Sequence, residues 1–285
     1  MVAIAKRRAV VFISLVAVIS VLADQLISRG LFGKAGSLAY MWCPALAAII
    51  ASALTRRSLK QVGWWPRFKW SGLAWLIPVG CGFFTYGLVW LTGLGTVPKS
   101  TFLERARMTL NMSAAQPNWL VILTAFAFIT VPLLLPSMIS ALGEEIGWRG
   151  FLVPELNEWL GFRGACLVSG AVWTLWHLPA VLFRGYGITG TPKTYQVVCF
   201  AAMVMASAVV MAWLRLKSGS VWPPTVMHAT HNAAIQLFFD PITAHKAYTQ
   251  YFVGEFAIGL VVPLAVLAWY CTRDMSRIDN AYSAG

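Results

Sequence analysis

The sequence predicts an all-α fold: a polytopic bundle of about eight transmembrane helices enclosing an intramembrane polar cavity. Composition is the first reason. Of 285 residues, 59% are hydrophobic and 11% charged, against about 25% charged in an ordinary soluble domain. The mean hydropathy of +0.69 points the same way. The second reason is that apolar runs of about 20 residues, enough to cross ~30 Å of hydrocarbon, recur along the chain. These runs are continuous rather than alternating, which argues against a β-barrel.

The eight runs are 9–28, 35–54, 71–94, 119–143 (continuing to Val153), 160–182, 195–216, 220–239 and 252–271. No soluble domain fits between them, so residues 1–285 form one membrane domain. Lys6-Arg7-Arg8 before the first run imitates a secretory signal, but Val21-Leu22-Ala23 followed by Asp24 is a poor cleavage site. An uncleaved first helix is expected. Segment 55–70 is basic and carries Trp64, Trp65 and Trp70, the chemistry of the headgroup zone. Segment 99–118 sets Lys99, Glu104, Arg105 and Arg107 between apolar residues and suits an amphipathic surface helix. Pro132, Pro136, Pro179, Pro223, Pro224 and Pro263 predict kinks. After Pro154, the polar stretch 155–163 reads as a turn. That makes 119–153 and 160–182 a helical hairpin centred near Leu160–Gly161.

The formal charge of +12 implies no nucleic-acid partner, because Lys and Arg in a membrane protein fix topology. With the N-terminus in the cytoplasm, 14 of the 22 Lys and Arg fall on that side: Lys6, Arg7, Arg8, Arg56, Arg57, Lys60, Arg67, Lys69, Arg149, Arg163, Arg215, Lys217, Arg273 and Arg277. Both termini, 55–70 and the turn at 155–163 are therefore expected to be cytoplasmic, and 95–118 and 183–194 outside. The five cysteines are odd in number and scattered, which suits packing rather than disulfides or a metal.

Glu144-Glu145, followed by Arg149, ends the apolar run Leu120–Leu142. Carboxylates at that depth cost several kcal/mol unless paired or hydrated. Glu145 and Arg149, at i and i+4, can pair within the helix. Glu144 lies 16 residues before Leu160 and His177 lies 17 after it. In an antiparallel pair of helices, equal distance from the turn means equal depth, so the two can meet inside the membrane. A lone buried histidine is more often structural; this depth match favours a functional reading. His228 and Asn232, four apart, project from one helical face, with His231 a near but offset neighbour. Such a stripe can also glue helices together. Jointly the residues supply what peptide hydrolysis needs: a base for water, an acid for the leaving amine, and donors for the oxyanion.

The motifs E-E-x-x-x-R (Glu144, Glu145, Arg149), aromatic-x-x-x-H (Trp173, His177) and H-x-x-x-N (His228, Asn232), in this order on successive spans, resemble the CAAX protease and bacteriocin-processing family of intramembrane endopeptidases. The resemblance covers about 119–240; residues 1–118 carry no motif. Trp173 departs from the phenylalanine more usual there. The resemblance implies an endopeptidase cutting near the cytoplasmic membrane face, in the inner membrane of a bacterium, on a peptide or lipidated-protein substrate, with membrane lipids as its other partners. It assigns Glu144 as base, His177 as its helper in water activation, and His228 and Asn232 as the oxyanion hole. Glu145 and Arg149 support them.

Family members are often labelled metalloproteases. Glu144, His177 and His228 would make a zinc set with an open fourth position, and Glu145 would then be the base. The metal-independent route is preferred here, since H-E-x-x-H is absent from the sequence. Two rivals of other classes remain: a proton-coupled transporter, against which stands the lack of an internal repeat, and a non-catalytic immunity or scaffold protein.

Overall fold

The computed structural model describes residues 1–283, with side chains up to residue 277. It is an all-helical bundle. Helix α1 is Val2–Ser28, followed by α2 (Gly36–Met41), α3 (Cys43–Leu54), α4 (Phe68–Leu91) and the short α5 (Ser100–Thr109). Then come α6 (Asn118–Thr130), α7 (Leu134–Glu145) and a π-helical segment, Ile146–Leu152, that leads into α8 (Val153–Phe183). Helix α9 (Lys193–Ser218) and α10 (Trp222–His231) precede a second π-helical segment, Asn232–Phe239, with α11 (Asp240–Ile242) and α12 (Ile258–Ser283) closing the order. The strands β1 (Gly95–Thr96) and β2 (Ala244–His245) form one antiparallel pair that ties two loops together.

All eight apolar runs are largely helical, the last of them only from Ile258 onward. Among the described residues, five helices are long and apolar enough to cross a membrane, or six if α2 and α3, bent by 49° at Trp42, form one span. The difference from eight has two sources. First, 118–183 counts as one continuous stretch of 66 residues, although at 1.5 Å per residue it would be about 100 Å long, several times the hydrocarbon thickness. Second, 220–239 is diluted by His228, His231, Asn232 and Gln236. The predicted turn over 155–163 shrinks to a single residue: Gly161, at φ 70 and ψ 176, breaks a helix that resumes at once. Only glycine adopts that backbone region without strain. In α6–α7 the predicted kink is a break at Val131–Leu133, around Pro132. The expected surface helix in 99–118 is α5.

Helix α1 packs along α3 and α8, α9 packs between α8 and α12, and α10 packs against α4 and α7. Small residues set how closely α7 and the π-helical segment after it approach α2 and α3. A Cβ on Gly147 would lie 2.5 Å from Pro44 Cβ, and one on Gly143 would lie 2.8 Å from the Met41 carbonyl oxygen. In lipid, where no hydrophobic force separates helix from solvent, such close backbone contact supplies much of the packing energy. It also fixes the face on which Glu144 and Glu145 project.

Candidate functional site

The site lies where two π-helical segments begin. Glu144 and Glu145 are the last two residues before Ile146–Leu152, and Asn232 is the first of Asn232–Phe239. Such segments are rare and concentrate at functional sites, because the wider turn re-aims side chains that a regular helix would send elsewhere.

Glu144 is buried, and its Oε2 accepts from Trp173 Nε1 at 2.8 Å and from Trp148 Nε1 at 3.3 Å. Trp173 stands across the hairpin from it, so the two arms do meet. Glu144 and His177, expected within direct or one-water hydrogen-bonding reach, form no direct hydrogen bond with each other. Instead, His177 Nδ1 bonds the Trp173 carbonyl one turn back, at 3.0 Å, and its ring packs edge-on against Trp176. Both residues still line one cavity. A carbonyl can only accept, so His177 Nδ1 carries its proton there and Nε2 is left with a lone pair.

Glu145 does more than pair with Arg149. Its Oε1 accepts from Arg149 Nη1 at 2.9 Å and from His228 Nδ1 at 2.9 Å. Arg149 in turn lies over the Trp173 ring, 4.1 Å from its centroid, and its carbonyl receives Arg215 Nε at 2.9 Å. Glu145, Arg149 and His228 are all buried. Breaking such a buried pair typically costs about 3–5 kcal/mol, because one charge is left without compensation. The network therefore holds His228 in one orientation, with Nε2 as its free nitrogen. Asn232, one turn further on, lines the same cavity.

The cavity measures about 690 Å³. Glu144, Trp173, His177, His228 and Asn232 share its wall with an apolar lining that includes Met41, Met203, Met211 and Met227. Methionine is flexible and polarizable, and suits a pocket that must accommodate varied apolar chains.

Two functional features were missed at the sequence level. Trp148 sits four residues after Glu144, a spacing that already places it on the same face. Glu255 is a carboxylate in the apolar run 252–271, the same signal that marked Glu144. It is buried and accepts from Tyr186 Oη at 2.7 Å and Gln236 Nε2 at 2.9 Å, with His231 Nε2 at 3.0 Å. His231 thus belongs to a second polar cluster on the cavity wall, which explains its offset from His228.

A zinc ion requires its donors to converge. Each imidazole has the outer hydrogen-bond partner that a zinc ligand commonly has: Glu145 for His228, the Trp173 carbonyl for His177. Yet among the described residues no three His, Cys, Asp or Glu side chains come together as an ion-holding group. Glu144, His177 and His228 as arranged do not fit the ion.

The exposed residues lining the cavity, among them Ser37, Pro179, Arg184 and Gln236, all lie at one end of the bundle. Lys6, Arg8 and Lys217 lie at the other, where they meet Trp159, Glu155 and Asp274.

Comparison with known proteins gives the class. Residues 117–234 match the family described as type II CAAX prenyl endopeptidase Rce1-like. A CAAX prenyl protease 2 from Methanococcus maripaludis is 29% identical over 98 residues, which is 33% of this chain and 36% of that protein. The chain thus matches little more than a third of that relative's length. The matched stretch contains all three motifs, and the resemblance read from them is borne out there.

Proposed function

We propose that the protein is an intramembrane endopeptidase of the CAAX type. It would hydrolyse a peptide bond of a peptide or lipidated protein by activating water at Glu144. The observation that carries this reading is the Glu144 carboxylate itself, buried on the wall of a large cavity and oriented by two indole N–H groups. A carboxylate of that kind is costly to keep inside a membrane without a task.

The chemistry follows from the tautomers. A water between Glu144 and His177 gives up its proton to the carboxylate, while His177 Nε2, with its lone pair, accepts the second hydrogen bond. The oxygen attacks the scissile carbonyl, and its π electrons move onto the carbonyl oxygen. The oxyanion role requires His228 as an imidazolium, with Nδ1–H on the Glu145 carboxylate and a second proton on Nε2. Nε2–H and the Asn232 amide N–H then donate to the oxyanion. Collapse expels the amine, which takes the proton held by Glu144, and the carboxylate is regenerated.

The supporting features are the burial, the hydrogen bonds and the family match of 117–234. Purified protein in detergent, incubated with a quenched library of lipidated and unlipidated peptides, tests the proposal. Cleavage by the wild-type protein that disappears in Glu144→Gln is expected; equal cleavage by both, or by neither, removes it.

A further inference from the structure

Four carboxylates are buried among the described residues: Glu144, Glu145, Glu155 and Glu255. Two of them have guanidinium partners. Glu145 pairs with Arg149 at 2.9 Å, and Glu155 pairs with Arg57 at 2.6 Å and Arg8 at 3.7 Å. The other two, Glu144 and Glu255, line the cavity, and among the described residues neither has a Lys or Arg partner. Glu144 is the base of the proposed reaction. Glu255 is left without a task.

Glu255 stands in the loop between α11 and α12, and three other parts of the chain fix it. Its Oε1 accepts from Gln236 Nε2 at 2.9 Å and His231 Nε2 at 3.0 Å, whereas its Oε2 accepts from Tyr186 Oη alone, at 2.7 Å. A carboxylate offers about four acceptor positions, so one on Oε2 stays open. The charge is held rigidly, by a hydroxyl, an amide and one imidazole, without a guanidinium or an ammonium.

The cavity supplies no other counter-charge. Arg184 on its wall is held by Asp24 at 2.6 Å, and His228 is held by Glu145 at 2.9 Å. In an apolar cavity a carboxylate attracts a cation far more strongly than it does in water. That cation has to come from whatever enters. The rings of Tyr186 and Phe200, 5.9 Å apart and both on the wall, suit the methylene stem of a long basic side chain.

The distance to the reacting groups sets the register. His231 follows His228 by three residues on α10, about 4.5 Å along the axis. The Tyr186 ring lies 6.5 Å from that of His177. The open position on Glu255 is thus on the order of 5–10 Å from the reacting groups, and an extended peptide advances about 3.3 Å per residue. We infer that Glu255 sets substrate specificity, receiving a Lys or Arg side chain two or three residues from the scissile bond. This rests on the peptidase reading and deepens it by naming the substrate class, a peptide with a basic residue close to the cleaved bond.

The test starts from a quenched peptide that the full-length protein cleaves in detergent. Matched peptides carry Lys, Arg, Gln or Glu at one position, two or three residues to either side of the cleaved bond. At one of these positions, wild-type kcat/KM should favour Lys and Arg over Gln by about 10–100-fold, the usual worth of a hydrogen bond between charged groups, and Glu should be the poorest. The preference should lie in KM. Glu255→Gln should abolish it, with the loss falling on the Lys and Arg peptides. A loss shared equally by all four peptides marks a purely structural role and overturns the inference. If Glu255→Gln does not accumulate, Tyr186→Phe replaces it: removing the hydroxyl frees a second position on Oε2 and should widen the preference, and an unchanged preference counts against the inference. Cleavage by the wild type with no charge preference at any position sinks the inference alone. Cleavage of no peptide, basic or neutral, sinks the peptidase reading and this inference with it.

Discussion

His228 and Arg149 share a single oxygen, Glu145 Oε1, each at 2.9 Å. A guanidinium and an imidazole from two different spans are thereby fixed to one buried carboxylate. Glu145 is more than the partner of its own helix neighbour: it joins the first motif to the third.

Glu145→Gln should therefore act through folding first. The amide cannot balance Arg149, and an uncompensated buried charge costs about 3–5 kcal/mol. A large fall in melting temperature in detergent is expected, together with reduced accumulation in the membrane. A variant that melts like the wild type but is inactive would show instead that Glu145 takes part in the chemistry.

Glu144→Gln should leave melting nearly unchanged, since the amide oxygen can still accept from Trp173 and Trp148. Turnover should fall by about 10² or more with loss of the base. Asn232→Ala should lower turnover by about 10²–10³, the usual cost of one oxyanion donor, with little change in KM. A fall confined to KM would move Asn232 from the oxyanion to substrate binding.

Trp173→Phe keeps the aromatic face under Arg149 and removes the indole N–H on Glu144. Hydrogen bonds to charged groups contribute about 1.5–3 kcal/mol, so a loss of about tenfold in kcat is expected, with Trp148 as the remaining donor. The double variant Trp148→Phe, Trp173→Phe should lose more than the two single variants combined, because the carboxylate then has no indole left. Additive losses would mean that the indoles do not act on one group.

Metal dependence is settled by measurement on the active protein. On the glutamate route, activity survives a strong chelator and metal analysis finds far less than one ion per chain. Stoichiometric zinc, with activity abolished by chelation and restored by zinc, would overturn it and make Glu145→Gln the inactive form that still binds metal.

Gly63→Ala tests the contact between loop 55–67 and the start of α10. The added methyl meets the Gly219 carbonyl, and φ +81 disfavours any side chain; backbone strain of this kind costs about 1–3 kcal/mol. A lower melting temperature in detergent is expected. Unchanged stability would mean that this contact does not help hold the bundle together.

The sequence by itself determined the class of fold and the residues to examine. Apolar run length depends on hydrocarbon thickness, a local property, so all eight helical runs could be read directly. Buried ionizable residues stand out against such runs, and their order on successive spans was enough to find the family whose description 117–234 match. Helical spacing gave the pairing of Glu145 with Arg149, and arithmetic about Gly161 brought the two hairpin arms to a common depth.

Only the tertiary structure decided which atoms meet. The sequence paired Glu144 with His177, but rotation about the helix axes and the π-helical segment put the Trp173 indole on that carboxylate, and His228 on Glu145. Depth along a helix follows from residue number; azimuth depends on packing with every neighbour. The docking of loop 55–67 on the start of α10 also lay beyond the sequence, because it joins residues some 155 apart.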